Sequence, residues 1–368
     1  MIKDNSLLDL VICPRTNSEL KIVYLENGSG LLSKEDGVLY PIINGVIIMK
    51  PVSQQVRNMC LDFFSSNENA LYSLGTEYNH DLTCQVLDYC ATPDQLDWHG
   101  QEMTYWEGLY EKQLRAYKDI PTNWDRTLPR GKLLSKLPAG LNHKIIFEIG
   151  CGSSFTLIDI YGHDIPLYIG LDLSYYACLL AKEQFPNALL IQGSAEKPPF
   201  KDVSIDVVIA YGVFHHLPGH EENILSIIPK LKPDGYIIGA DPLLKPRLPR
   251  PWQHVRNKLK NCDEHAGGKA MGVCPDDSPH NEWIDWPNLL NIIKDYAHVA
   301  ESIFEYGALR YLIIMIFFNK LGFRGKKFIN FVIILDRLWL ATIGKIHRSL
   351  GPAAVHYAVQ KNKGNADN

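Results

Sequence analysis

No two of the eight cysteines in this chain form a CxxC pair. Cys13, Cys60, Cys84, Cys90, Cys151, Cys178, Cys262 and Cys274 are scattered, so the spacing supports neither a zinc knuckle nor a disulfide framework. Unpaired thiols fit a reducing cytoplasm. Long apolar runs are also missing. Tyr311 to Phe318 stops at eight residues, well short of the roughly 18 needed to span a bilayer. The opening MIKDNSLLDLVICP is too polar for a secretory leader. There is no excess of positive charge: 37 Lys and Arg face 41 Asp and Glu, a net charge of −4. That balance argues against bulk nucleic-acid binding. What remains is ordinary for a globular protein, with 46% apolar and 21% charged residues. The 368 residues leave room for a domain of about 200 residues and a smaller one.

The informative stretch is Lys144 to Ser154, KIIFEIGCGSS. Its short apolar run reads as a strand buried on both faces. Gly150 and Gly152 end it, where glycine permits a sharp turn and close ligand approach. Glu148 stands just before the turn. A dinucleotide fingerprint would need a third glycine where Phe155 stands, and no Gly-Lys-Ser or Gly-Lys-Thr follows to cradle a phosphate. A second run, LYIGLDLS, ends near Asp172, 24 residues after Glu148. That is a suitable place for a carboxylate to accept both hydroxyls of a ribose. ALLIQGSAEKPPF, IDVVIAYGVFHHLP and LKPDGYIIGADP supply a third, fourth and fifth strand, the last after a Pro-Asp-Gly turn.

In this order, EIGCG, LDLS, GSAEKPPF, DVVIAYGVFHHL and LKPDGYIIGADP resemble the class I S-adenosylmethionine-dependent methyltransferases of the small-molecule and lipid-quinone subgroup, over roughly 141–242. The resemblance implies an α/β, Rossmann-like, doubly wound seven-stranded sheet whose last strand is antiparallel, with S-adenosylmethionine as cofactor. It further implies that Glu148, Gly150 and Gly152 hold the methionine end and Asp172 the ribose. Ser194 and Ala195 would face the adenine and Tyr211 the cofactor floor, with Cys151 and Leu173 also among the cofactor-binding residues. Ser154 replaces the usual third loop glycine. Ser194 replaces the acid that often reads the adenine amino group, which leaves adenine to backbone contacts.

Just past the fourth strand stand His215 and His216, at the sheet edge where such folds bind ligands. Either can take a proton from an acceptor hydroxyl near neutral pH, or merely order its loop. Both are catalytic candidates, with His265 and His280–Trp283 secondary. The Asn-Pro-Pro-Tyr-type motif in which base-amine-methylating enzymes resemble one another is absent; that position reads AYGVFHH.

Residues 1–50 read as a small separate β-rich unit. LLD-x-x-x-CP and LYPIINGVIIM resemble the zinc-ribbon-like module that accompanies or activates some RNA and protein methyltransferases. Its metal is expected to be lost, because Cys13 remains but Thr16 replaces a second ligand and one thiolate cannot hold zinc. Residues 51–140 read as a helical linker or lid, with Trp98, Tyr105, Trp106 and Trp124 as core or pocket-capping aromatics. Residues 141–368 form the main domain, with an insertion over 243–285 and an apolar helical hairpin over 308–344. Six basic and no acidic residues occupy 245–260, from Lys245 to Lys260. With the apolar hairpin, that suits contact with phosphates at a membrane surface. The sequence therefore points to an S-adenosylmethionine-dependent methyltransferase. The expected acceptor is a small-molecule or lipid-linked hydroxyl, met in the cytoplasm or at the inner face of a membrane through 308–344. An RNA- or ribosome-directed methyltransferase is the alternative, and a non-catalytic partner of the same fold a third reading.

Overall fold

A computed structural model describes residues 5–51, 53–87, 144–152, 167–243, 284–305, 331, 334–335, 338–342 and 354–362. The four lid aromatics, the basic run, His265, His280–Trp283, Ser154 and most of the 308–344 hairpin lie outside these residues.

The short apolar runs are strands because they are covered on both sides. β5 (Ile146–Ile149), β6 (Tyr168–Asp172) and β7 (Leu189–Gln192) are buried at every residue. β8 (Ile205–Tyr211) is buried at all but its last. They pair in parallel, as two-sided burial and crossover connections require. β9 (Leu231–Pro242) continues the parallel set beside β8. β11 (Ala354–Lys361) lies antiparallel between β9 and β10 (Ala297–Glu305). The order β7-β6-β5-β8-β9-β11-β10 contains the seven strands implied by the resemblance, the last in sequence antiparallel to its neighbours. The order reverses at β5, with β6 and β7 to one side and β8 and β9 to the other. Ligands of open α/β sheets sit at that switch point, beyond the carboxyl ends of the strands.

Two expectations are corrected. The Pro-Asp-Gly turn does not precede β9. It is a bulge within it: Ile205 pairs with Leu231, the next pair is Val207 with Tyr236, and Asp234 has φ 63°. Nor is the N-terminal unit separate, so the sheet exceeds seven strands. After α1 (Asn5–Leu8), β1 (Leu20–Leu25), β2 (Gly28–Ser33), β3 (Leu39–Ile43) and β4 (Val46–Ile48) form an antiparallel meander. β4 then pairs in parallel with β7, Val46 opposite Leu190 and Ile48 opposite Gln192, giving an eleven-stranded sheet. The physical reason is the bare backbone edge of β7, which a neighbouring strand satisfies. The tight turn at Asn44 and Gly45, φ 50° and 78°, aims β4 along that edge.

Further clasps secure the join. Met49 N–H donates to the Gln192 carbonyl at 2.9 Å, Ile12 N–H to Pro199 and Lys201 N–H to Leu10, each also at 2.9 Å. Asn44 Nδ2 donates to the Tyr175 hydroxyl at 2.9 Å. Within the meander the Cys13 thiol meets the buried Tyr40 hydroxyl at 3.3 Å. Thr16, Ser18 and Ser33 form a chain of hydroxyls beside it. Helices α2 (Gln54–Ser66), α3 (Glu68–Ser73) and α4 (His80–Leu87) follow β4. In the main domain α5 (Tyr175–Gln184) starts at Ser174, whose hydroxyl accepts the Ala177 N–H. α6 (His220–Ile227) and α7 (Trp286–Ile293) cover the β8–β10 side. No helix among the described residues is long and apolar enough to cross a membrane.

Candidate functional site: a clasped glycine turn and a histidine pair

The turn after β5 is built around backbone that only glycine adopts easily. Gly150 and Gly152 have φ 60° and 51°, in the left-handed region. At Gly150 a Cβ would also lie 2.5 Å from a Val213 methyl. The glycine turn therefore rests directly on the loop that carries the histidines.

Asp172, at the end of β6, fastens the turn from the other side. One carboxylate oxygen accepts the Gly152 N–H at 2.9 Å and the other the Ser174 N–H at 2.8 Å. The Cys151 N–H donates to the Leu171 carbonyl at 3.1 Å. Burial raises the Asp172 carboxyl to about 6, against the pull of the Ser174, Gly152 and Leu173 N–H groups. The ionised form is thus disfavoured by folding, a cost on the order of 3 kcal/mol that is fully present above about pH 6. It fades as pH falls toward the ordinary carboxyl value of 3.8. The chain keeps a desolvated carboxylate at this edge.

The other expected cofactor residues fall at the same carboxyl edge, with two qualifications. Glu148 is 3% exposed, and its carboxylate accepts the Tyr168 hydroxyl at 2.6 Å; it sits within the sheet below the turn. The buried Cys151 thiol is pushed well up by its hydrogen bond to Cys178 and then by burial. Leu173 offers its carbonyl to Gln192 Nε2 at 3.0 Å. Ser194 and Ala195 follow β7, where the Ser194 hydroxyl meets Glu196. Tyr211 ends β8 and lies on the β11 side, its ring 6.5 Å from that of His356.

Sequence reading missed Gln192. It is fully buried opposite Asp172 in the β6–β7 ladder, and its Oε1 has no donor among the described residues. A buried acceptor of this kind calls for one. Asp172 and Gln192 together form an acceptor-rich edge beside a turn open to close approach. A nucleoside, with ribose hydroxyls and an exocyclic amine, offers matching donors, so these residues fit S-adenosylmethionine.

His215 and His216 lie in a short 3-10 turn after β8, both buried, with ring centroids 3.9 Å apart. Asp241, at the end of β9, meets His215 Nδ1 at 2.8 Å and also accepts its backbone N–H at 3.3 Å. The Tyr357 hydroxyl of β11 donates to the other Asp241 oxygen at 2.9 Å. These partners were not foreseen, because Tyr357 reaches Asp241 only through the order β9-β11 across a sequence separation of 116.

With this geometry, residues 147–239 match the protein-family model for a methyltransferase domain. This segment is a methyltransferase domain. S-adenosylmethionine is the cofactor of its type. The tRNA U34 carboxymethyltransferase of Desulfotalea psychrophila is 26% identical over 159 residues, covering 38% of this chain and 49% of that protein. A phthiotriol/phenolphthiotriol dimycocerosates methyltransferase of Mycobacterium ulcerans is 28% identical over 107 residues, 27% of this chain and 38% of its own length. The chain thus spans half or less of these relatives. Among solved structures, a complex between a methyltransferase activator and a methyltransferase from Haloferax volcanii aligns over 73% of this chain and 98% of its own. The identity is 16% and the TM-score 0.40. Within the methyltransferase domain, the match begins in β5 and ends in β9, so it includes the glycine turn, Asp172 and both histidines.

Proposed function

We propose that the protein transfers a methyl group from S-adenosylmethionine to a hydroxyl of an apolar or lipid-linked acceptor at the inner face of a membrane. The observation that carries the transfer is the Asp172 clasp on the glycine turn within a methyltransferase domain. S-adenosylmethionine supplies a methyl group already activated by a sulfonium. The chain's own contribution is placement. Asp172 accepts the ribose hydroxyls, Gly150 and Gly152 let the nucleoside approach, and Ser194 and Ala195 border the base. The histidine turn, touching Gly150 through Val213, takes the acceptor's proton.

The membrane part rests on an exposed apolar helix face. Phe331, Ile334 and Leu338 are 54%, 57% and 59% exposed at spacings of three and four, one side of a helix. Lys326 and Lys327 precede them in sequence, suiting an anionic interface, while Asp336 and Arg337 between Ile334 and Leu338 offset each other in charge. One relative is named for phthiotriol and phenolphthiotriol dimycocerosates, which favours an apolar acceptor. Flotation with anionic liposomes tests this part. The full chain is expected to float, and a Phe331→Ser/Ile334→Ser/Leu338→Ser variant to remain in the dense fraction. Equal recovery of both in the dense fraction removes the membrane reading.

A tRNA-directed methyltransferase is the second reading, favoured by the relative named for tRNA U34. The net charge of −4 weighs against it. A 14-dalton gain sought across lipid, glycan and RNA fractions separates the two.

A further inference from the structure

We infer that Asp241, itself held by Tyr357, is a positioning residue that makes His215, and not His216, the proton acceptor of methyl transfer. The inference rests on the functional reading above and deepens it, since a built proton acceptor implies a hydroxyl-bearing acceptor whose proton must be removed.

Asp241 is a buried carboxylate, 2% exposed, supported by three donors. One oxygen takes the His215 backbone N–H and faces Nδ1; the other takes the Tyr357 hydroxyl. A buried carboxylate is tolerated when its lone pairs are met in this way. Because Asp241 is an acceptor, the imidazole proton is held on Nδ1, which leaves Nε2 as the basic nitrogen. The carboxylate also stabilises the imidazolium formed once Nε2 has taken a proton.

The support for Asp241 is rigid. Tyr357 is 1% exposed, and its ring lies 5.5 Å from that of Trp286. To reach Asp241 the phenol crosses β9 at Gly239, where a Cβ would stand 2.6 Å from the ring and 2.7 Å from the Ala210 carbonyl. A glycine inside a strand weakens it unless close approach requires one, and here the crossing phenol does. Burial first, and then the charge of Asp241, push the Tyr357 hydroxyl well above its ordinary range. It therefore stays a donor.

Other titratable groups surround the pair. The His216 ring lies against that of His215, tilted by 42°, Tyr211 ends β8, and His356 stands beside Tyr357 on β11. His220, Glu221 and Glu222 open α6. A separation of 3.9 Å between the ring centroids disfavours a positive charge on both rings at once, and the Asp241 carboxylate assigns that charge to His215. In the step itself, the acceptor oxygen bonds to the methyl carbon as the carbon–sulfur bond breaks with its electron pair remaining on sulfur. The hydroxyl proton passes to Nε2 of His215.

The test needs no acceptor. In full-length protein labelled with nitrogen-15 at histidine, long-range proton–nitrogen correlation identifies the tautomer, and His215→Gln assigns the signal. Wild-type His215 is expected to carry its neutral-state proton on Nδ1. In Asp241→Asn, an amide oxygen can still accept the backbone N–H while the charge is gone, so His215 is expected to bind its second proton about tenfold more weakly. A purely structural clip would leave that affinity unchanged, and such a result overturns the inference. So does an Nε2–H tautomer in the wild type, which needs no folded variant. If wild-type protein binds no S-adenosylhomocysteine, the functional reading falls while the tautomer result stands by itself. If it binds and His215 ignores Asp241→Asn, only this inference falls.

Discussion

With Asp172 in the proposed role of ribose acceptor, stability and ligand binding oppose each other at this residue. Its carboxyl is raised to about 6 by burial, while ribose hydroxyls donate hydrogen bonds only to a receptive carboxylate. Binding therefore selects the ionised form. Affinity for S-adenosylhomocysteine is expected to hold steady above about pH 6 and to fall progressively below it, with proton release on binding near that pH. Calorimetry in buffers of different ionisation enthalpy measures both, and Asp172→Asn should flatten the profile. Gly239 yields a second prediction at this scale. Gly239→Ala forces a Cβ against the Tyr357 ring, and overpacking of this kind costs about 1–3 kcal/mol. The denaturation midpoint should fall, and Tyr357→Phe should not restore it, because the ring remains.

Among the elements, the join of β4 to β7 covers the edge of the strand that leads into Ser194 and Ala195, the residues proposed to border the base. β7 leads into Ser194, and its outer edge is covered by Val46–Ile48 and clasped by Met49 N–H. Asn44→Ala removes a side chain suited to φ 50° and its bond to Tyr175. A loss of about 1–2 kcal/mol is expected, with weaker S-adenosylhomocysteine binding alongside. Unchanged stability would show that the turn does not secure the join. The strands of the main domain were legible because two-sided burial writes itself as short apolar runs, such as IFEI and VVIAY. The union of β4 with β7 was not, because VII reads the same whether its neighbour is solvent or another edge. The place of Asp172 at the end of β6 was legible from the second apolar run, 24 residues after Glu148. Asp241 and Tyr357 were not, since their meeting depends on an antiparallel strand inserted between β9 and β10.

At the scale of the whole molecule, a net charge of −4 coexists with a local basic run over 245–260. Attraction to anionic vesicles should therefore weaken as salt shortens the Debye length from about 30 Å at 0.01 M to about 8 Å at 0.15 M. Residual binding at high salt should depend on Phe331, Ile334 and Leu338, whose apolar contribution is not screened. Flotation across a salt series with the triple serine variant separates the two contributions; identical salt curves for both proteins would remove the apolar one. The N-terminal strands and the methyltransferase domain share one sheet, so damage to either is expected to weaken S-adenosylhomocysteine binding.

The most direct test is calorimetric titration of the full-length protein with S-adenosylhomocysteine at pH 7.5, beside Asp172→Ala. One saturable site per chain, abolished or weakened at least about a hundredfold by the substitution, is the expected result. An absence of binding heat with no shift in melting temperature, or equal affinity in Asp172→Ala, would contradict the account.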